Sequence, residues 1–496
     1  MLGVILALLI VPLAAGLACA VLPGPTKVGP VVTGTSGVAS FGLVLALVPD
    51  AAHHDLGYLT YLRVDALSVI FLLATGFLYA AVGVYSIGYI QHHGRGDRYA
   101  RRFYAGFNLF AWAMLAAPLM SSLALLWIAI EITTIISALL VAIEAGPTEE
   151  GDAAAEAAWK YVLIASAGLG LALLATVFAY FAGSVVLGEH YNLAITPLIQ
   201  HAAHLPRTPV RLAFMLALLG YGTKVGLFPV HTWLPDAHSE APTPVSALLS
   251  GSMLAVSFYA ILRYYQVASA CLGSGFPRDA LLAFGVASLL LAALYVFGQR
   301  DIKRLLAYSS IEHMGIVTIG VSFGAPVALA GVMLHVLAHA AAKANAFMGA
   351  GVFTVKYGTK QMATMRGALD LLPWSGPLFL LAVFALSALP PSGIFRSEFQ
   401  IVAGGLDSGN YATAAILVVL ATVAFFGLTT STTRILFTPA PRSLSAAAAT
   451  GRGEPSAWMV VPAVAGIAAL FILGLHPPGE LTGLISRAVT ELEAAR

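Results

Sequence analysis

Three titratable side chains share one apolar stretch: His335, His339 and Lys343 in L-H-V-L-A-H-A-A-A-K-A-N-A-F. On a helix, spacing i, i+4, i+8 puts all three on one face, over about 12 Å, with about 40° of drift per step. Such a row can hand a proton along, because an imidazole both takes and gives one near neutral pH. A single histidine in such a helix is an ordinary satisfied core residue; three titratable groups in line are not. Histidines four residues apart also have metal-ligand spacing. No third ligand lies nearby in the sequence and a lysine follows, so no metal site is expected. Two further groups lie deep in apolar sequence, Glu131 in L-W-I-A-I-E-I-T-T-I-I-S and Lys224 in G-T-K-V-G-L-F-P-V-H-T-W-L-P-D-A-H-S-E. Burial disfavours the charged form of any side chain, and an opposite charge nearby restores it. A carboxylate and an ammonium balanced in this way form a switch. Lys224 has a structural reading too, as a donor to carbonyls freed by Pro229.

The remaining ionisable groups divide less cleanly. Glu398 either pairs with Arg396 or ends a proton path. Asp301 and Lys303 open an apolar run, as helix-end charges or as an entrance. Glu312 and His313 lie deeper and, being adjacent on a helix, face different directions. His231, Asp236, His238 and Glu240 follow the proline break and either line a vestibule or are solvated.

The elements that must hold these groups are membrane helices. The 496 residues are 59% hydrophobic and only 10% charged, with mean hydropathy +0.88; a soluble chain carries about 25% charged residues. Apolar runs near the roughly 20 residues a span requires occur at about 2–22, 30–48, 66–90, 103–119, 121–143, 160–187, 209–231, 243–268, 279–298, 303–323, 327–351, 374–393, 411–436 and 456–475. The expected fold is all-α and polytopic, with about 14 transmembrane helices. Strands are not expected, because no ten-residue alternation recurs. The first run lacks a basic leader and reads as a helix rather than a signal peptide. Gly146–Glu156 reads as a solvated loop and Ser443–Glu454 as a flexible connector. The chain forms one transmembrane domain, 1–496. Residues 1–100 carry three N-terminal helices, 103–268 and 279–436 two halves, and 456–496 a last helix and tail. Proline interrupts the seventh run at Pro229 and the twelfth at Pro390-Pro391, one break in each half. Paired interruptions of this kind point to a transport site.

Loops after odd-numbered runs hold most of the Lys and Arg, in clusters at 95–102, 300–304, 356–366 and 434–452. Those after even-numbered runs hold Arg63, Arg207, Arg211, Arg263, Arg278 and Arg396. The positive-inside rule puts the odd-numbered exits in the cytoplasm and both termini outside. Net charge of +2 with scattered basic residues does not suggest nucleic acid. Cys19 and Cys271 offer neither a disulfide framework nor a metal spacing. No nucleotide or cofactor motif is present, so no cofactor is expected in this chain.

Several long motifs resemble one family. They are G-T-K-V-G-L-F-P-V-H-T-W-L-P-D-A-H-S-E-A-P-T-P-V-S-A-L-L-S-G at 222–251, D-I-K-R-L-L-A-Y-S-S at 301–310, H-x-x-x-H-x-x-x-K at 335–343 and P-P-S-G-I-F-R-S-E-F at 390–399. From about Asp65 to Thr438 the chain resembles the proton-pumping antiporter-like subunits of respiratory complex I and of Mrp cation/proton antiporters. A-Y-S-S-I-E-H-M-G, with Glu312, and A-A-W-K-Y-V-L-I-A-S-A-G at 157–168 resemble the hydrogenase-4 component F branch, found in membrane-bound nickel–iron hydrogenase and formate hydrogenlyase complexes.

The resemblance implies two inverted five-helix repeats, helices 4–8 and 9–13, with helices 7 and 12 discontinuous. It implies proton-translocation roles for Glu131 and Lys224 as a pair, His335, His339 and Lys343 as a central relay, and Glu398 as the terminal carboxylate. Asp301 and Lys303 match a lesser cytoplasmic-side pair; His231, His238, Glu312 and His313 are secondary candidates. Many relatives place a lysine where this chain has Ala255, so the link from Lys224 to the central relay must run through water and histidines or be weaker. The long lateral helix of distal complex I subunits is absent from the sequence. The implied partners are other membrane subunits, the lipid bilayer and a cytoplasmic hydrogenase-like arm holding iron–sulfur clusters and a Ni–Fe centre, at the cytoplasmic membrane. Two alternatives stand beside this: an Mrp-type sodium/proton antiporter subunit without redox partners, and a scaffold that has lost pumping.

Overall fold

A computed structural model describes residues 2–54, 56–58, 61–439 and 451–493. Helices form at every predicted run: α1 (Leu2–Val21), α2 (Pro25–Ala51), α3 (Ala66–His93), α4 (Gly96–Ala116), α5 (Leu123–Val141) and α6 (Glu149–Leu187). The seventh run forms α7 (Arg207–Val225), which breaks before Pro229, and a helix that the runs did not include, α8 (Trp233–Glu240), follows it. Then follow α9 (Thr243–Leu272), α10 (Gly275–Tyr295), α11 (Ile302–Phe323) and α12 (Pro326–Tyr357). The twelfth run forms α13 (Ser375–Leu386), and after the Pro390-Pro391 break a further helix beyond the run, α14 (Gly393–Asp407), precedes α15 (Tyr411–Phe437), α16 (Val461–Leu475) and α17 (Gly479–Glu493). The chain is an all-α polytopic membrane protein. Among the described residues, ten spans are long and apolar enough to cross a bilayer by length and composition. The other four predicted runs are the two broken ones, α4, which opens on Asp97, Arg98, Arg101 and Arg102, and α11, which opens on Lys303 and Arg304.

Helix α9 lies at the centre, with 100% of its most apolar stretch buried, and α12 beside it, at 89%; α15, at 28%, is peripheral. Ile135, Leu139 and Leu163 on α5 and α6 face outward, as apolar side chains do where the surroundings are lipid. Inside α9, residues Leu249–Met253 form a π-helical turn, a feature that recurs at functional sites because it loosens the backbone ladder.

Four expectations need correction. The predicted loop Gly146–Glu156 is helical from Glu149 onward. Thr148 caps it, accepting from the Gly151 N–H at 3.0 Å, and Glu149, Glu150 and Asp152 complement the helix dipole. A hairpin of β1 (Leu56–Tyr58) and β2 (Leu62–Val64) joins α2 to α3, so strands are not wholly absent; six residues in a connection are too few for an alternation pattern. The expected tail forms α17, whose Leu484, Ile485, Ala488, Val489 and Leu492 make one buried stripe at helical spacing. Arg263, counted as a loop charge, is buried in α9. The expected connector lies mostly outside the described residues, as do Arg442 and Arg496.

Arg263 anchors one end of the bundle. Its guanidinium donates to both Asp65 oxygens at 2.6 Å, and Arg63 stands 3.1 Å from the same carboxylate. Asp65 caps α3 through the Ser68 N–H at 2.8 Å. Glu491 of α17 accepts the Ala66 and Leu67 N–H groups at 3.0 and 3.2 Å. The two arginines hold the Asp65 carboxyl well below the usual range despite its burial. Glu491, buried beside that carboxylate, is pushed up to about 7.

Candidate functional site

The two broken helices are built alike. Helix α7 ends on Gly226 in the left-handed region, φ 81°, where a side chain would be strained. Leu227 N–H reaches back five residues to Gly222 O at 2.9 Å. In the second break Leu389 N–H does the same to Phe384 O at 2.9 Å, and Ser392 then caps α14 through the Phe395 N–H at 3.2 Å. Each break frees backbone groups at a point where the chain itself comes to the bundle surface, at Phe228-Pro229 and Pro390-Pro391. In the first, Trp233 Nε1 bonds Thr223 O at 2.7 Å and Ser288 Oγ accepts Phe228 N–H at 2.9 Å. Lys224 therefore is not needed to satisfy the broken backbone. Its Nζ is wholly buried and donates to Tyr161 Oη at 2.5 Å, 4.9 Å above that ring.

Tyr161, from α6, changes the expected pairing. Glu131 and Lys224 feel each other's charge but are not in ion-pair contact. Tyr161 feels the Glu131 charge while bonding Lys224, and shares a 2.7 Å hydrogen bond with Ser137 Oγ of α5. One Glu131 oxygen, Oε2, is buried without a partner. Tyr161 lies inside the motif at 157–168, so the signal was present; a lone tyrosine in an apolar run has no spacing that singles it out.

The second cluster surrounds α12, where His335, His339 and Lys343 are fully buried. Lys343 Nζ donates to Leu306 O at 2.9 Å and to Ser309 Oγ, both on α11. His335 Nε2 lies 3.2 Å from His313 Nδ1, and His335 Nδ1 lies 3.0 Å from Ser397 Oγ. His313 Nδ1 is 3.8 Å from Glu398 Oε1. The His339 ring centre stands 5.2 Å from that of His313. Glu398 thus turns inward, whereas Arg396 donates to Gly474 O at 3.3 Å. Glu312 and His313, although adjacent, both serve this cluster: Glu312 is in electrostatic reach of Lys343, and His313 bridges α12 and α14. Ser309 and Ser397 escaped sequence reasoning because serine is common in helices of this composition.

Between the clusters lies His238 of α8, wholly buried. Its ring centre is 6.3 Å from that of Trp233, which lies 4.5 Å from Tyr161, and 5.8 Å from that of Phe347. Its Nδ1 meets Leu234 O at 2.9 Å, while Nε2 has no partner. It feels the charges of Lys343 and Lys303. His231 stands in the break, ring to ring 6.0 Å from Phe228, and is not drawn into either cluster. Ala255 is buried just after the π turn. Asp301 caps α11 through the Lys303 and Arg304 N–H groups at 2.7 and 3.0 Å and accepts Ser239 Oγ at 2.8 Å. Lys303 Nζ donates to Ala241 O at 2.5 Å. Lys303 also lines a polar cavity of about 460 Å³ that includes His93, Arg95, Glu144, Glu240 and Lys360. Asp236 and Glu240 make rim ion pairs with Arg304 and Lys360, both at 2.5 Å.

Residues 120–424 match the family model described as NADH:quinone oxidoreductase/Mrp antiporter, transmembrane. The chain belongs to this family. It is 37% identical over 368 residues to a hydrogenase-4 component F homolog of Methylacidiphilum infernorum, covering 73% of this chain and 76% of that protein. It is 30% identical over 437 residues to NADH-quinone oxidoreductase subunit N of Desulforudis audaxviator, covering 86% and 84%. In fold it is similar to a chain of the Mrp complex from Dietzia sp. DQ12-45-1b, with TM-score 0.84, 20% identity and 99% and 98% of the two chains covered.

Proposed function

We propose that this chain is the proton-translocating membrane subunit of an energy-converting oxidoreductase complex of the hydrogenase-4 or formate hydrogenlyase kind. The observation that carries the reading is a line of titratable and hydroxyl groups through the bundle, half-buried at Glu131 and buried from Tyr161 onward. It runs from Glu131 through Tyr161 and Lys224, past Trp233 to His238, then to Lys343, His339, His313, His335 and Glu398. A side chain held away from water is kept at such a place at a cost, which function offsets. The 37% identity to a hydrogenase-4 component F homolog, with Glu312 in the branch motif, supports this branch. Glu131, Lys224, His335, His339, Lys343 and Glu398 are the translocation residues. His238 takes the station that relatives fill at Ala255. The polar cavity beside Lys303 is the cytoplasmic entrance, where Asp301 works as a helix cap.

Redox chemistry belongs to partner subunits in a cytoplasmic arm holding iron–sulfur clusters and a nickel–iron centre. Their reaction changes the charge near Glu131. That change passes to Lys224 through the Tyr161 hydroxyl, and Lys224 gives up or regains its proton. The bundle crosses the cytoplasmic membrane fourteen times, with both termini outside and the two broken helices as equivalent parts of two inverted repeats. Purification in mild detergent with identification of the bound subunits tests the assignment. Hydrogenase-like subunits are the expected result. Small cation-antiporter subunits without redox centres would replace this reading with that of a sodium/proton antiporter.

A further inference from the structure

The histidine cluster satisfies the condition that the sequence leaves open. His335 and His339 lack a third ligand along the chain, but folding brings His313 from α11 and Glu398 from α14 to the same place. One ligand atom from each of His313, His335 and Glu398 lies within 4.8 Å of the others. A tetrahedral zinc ion holds nitrogen and oxygen ligands at about 2.0–2.2 Å, which sets the edges between ligands at about 3.3–3.5 Å. The His313 Nδ1 to His335 Nε2 separation is 3.2 Å, and His313 Nδ1 to Glu398 Oε1 is 3.8 Å. Both lie within half an ångström or so of a tetrahedral edge, and the third, from His335 to Glu398, is no longer than 4.8 Å.

Hydrogen bonding orients the ligands. Ser397 Oγ has one proton, donated to Ile394 O at 2.8 Å. It must therefore accept from His335 Nδ1, 3.0 Å away. That leaves the lone pair of His335 on Nε2, the atom facing His313 and Glu398, and gives the ring the outer-shell support that metal-bound imidazoles characteristically have. His313 Nε2 and both ring nitrogens of His339 are buried with no partner. Leaving a buried polar atom unpaired is destabilising. When an ion takes His313 Nδ1, the proton that it carries moves to the vacant Nε2, and any proton on Glu398 leaves.

Charge is also suitable. Glu398 supplies one negative charge, and Glu312 faces the same region from α11. The cation nearby is Lys343, whose ammonium is turned to Leu306 O and Ser309 Oγ. Glu398 is 8% exposed, whereas His313, His335 and His339 are sealed. Two imidazoles and one carboxylate suit a borderline divalent ion; magnesium and calcium require more oxygens.

We propose that His313, His335 and Glu398 bind a divalent transition-metal ion of the zinc class and that the bound ion stops proton passage. Binding is independent of the proposed function; the block rests on it, because the ion occupies the lone pairs that would carry the proton. The intact complex in mild detergent, stripped with chelator and equilibrated with zinc chloride, tests binding by metal analysis and zinc-edge X-ray absorption. One zinc per chain is expected, with two imidazoles and an oxygen in its shell. Affinity should fall about 10- to 100-fold in His313→Gln and Glu398→Gln and hold in His204→Gln, which alters an exposed histidine. No zinc above a buffer blank, a shell without imidazole, or equal affinity in His313→Gln would overturn the site. The absorption spectrum of the unmutated complex decides this even if a variant does not assemble. Zinc should slow acidification of sealed vesicles by the wild-type complex. Stoichiometric binding with an unchanged rate would overturn the block while leaving the proposed function untouched.

Discussion

At the scale of single residues, the account turns on how Lys224 is partnered. A carboxylate and a lysine in the membrane suggest a direct ion pair, yet the ammonium donates to the Tyr161 hydroxyl, and Glu131 acts from a distance. A hydrogen bond to a charged group contributes about 1.5–3 kcal/mol. Tyr161→Phe removes the hydroxyl and keeps the ring beside Trp233, so proton pumping should fall about 10-fold or more with normal assembly. Initial acidification rates at matched complex content measure this, and a wild-type rate would remove Tyr161 from the path. His238→Gln tests the station near Ala255 in the same assay. Transport should drop while Lys224 keeps its tyrosine contact; full transport would require another link. These groups were unevenly legible. His335, His339 and Lys343 declare themselves by spacing, whereas Tyr161 and Ser397 acquire meaning only from helices that the chain brings together later.

At the scale of elements, the breaks and the last helix make the sharpest claims. A side chain at Gly226 would be strained by the positive φ and would meet Leu234, whereas Gly273, at φ 82°, has open space around it. Gly226→Ala should therefore cost about 1–3 kcal/mol and lower the thermal midpoint more than Gly273→Ala does. Equal midpoints would mean that the turn relaxes freely. Helix α17 carries a pH dependence. Burial first, and then the Asp65 charge, raise Glu491 from an ordinary 4.5 to about 7 when the helix is docked. The docked state favours the protonated form, so this contribution is fully present below about 4.5 and is lost as pH rises through about 7. Hydrogen exchange of α17 should quicken between pH 6 and 8, and Glu491→Gln should flatten that dependence; an unaltered pH profile in the variant would refute the role. The helices of the core were legible from hydropathy alone. Helix α17 was not, because its stripe is too polar for a span and too short to stand out, and the start of α6 was hidden by its acidic residues, which are helix-start signals as much as loop signals.

At the scale of the whole molecule, the fold holds a polar cavity near Lys303, two clusters of titratable groups and a slightly exposed carboxylate within one helical bundle. The long motifs made the family legible, but a single chain cannot show which distant segments meet. Helices α11, α12 and α14 converge on the histidines only because each contributes one side chain at the right depth. The proposed orientation rests on the loop basic residues, of which Arg263 is a buried anchor rather than a loop signal. Accessibility labelling of single cysteines in intact cells should place residues 94–96 and 358–360 inside and residue 273 outside; the opposite pattern would invert the assigned direction. The central claim is that protons cross through the buried groups of this chain. Its most direct measurement is the pH gradient formed by the complex in sealed vesicles during turnover, with Lys224→Ala and Lys343→Ala compared with wild type at equal assembly and equal electron-transfer rate. The account predicts that each variant keeps its subunits and loses the gradient. Full pumping by either variant would contradict it.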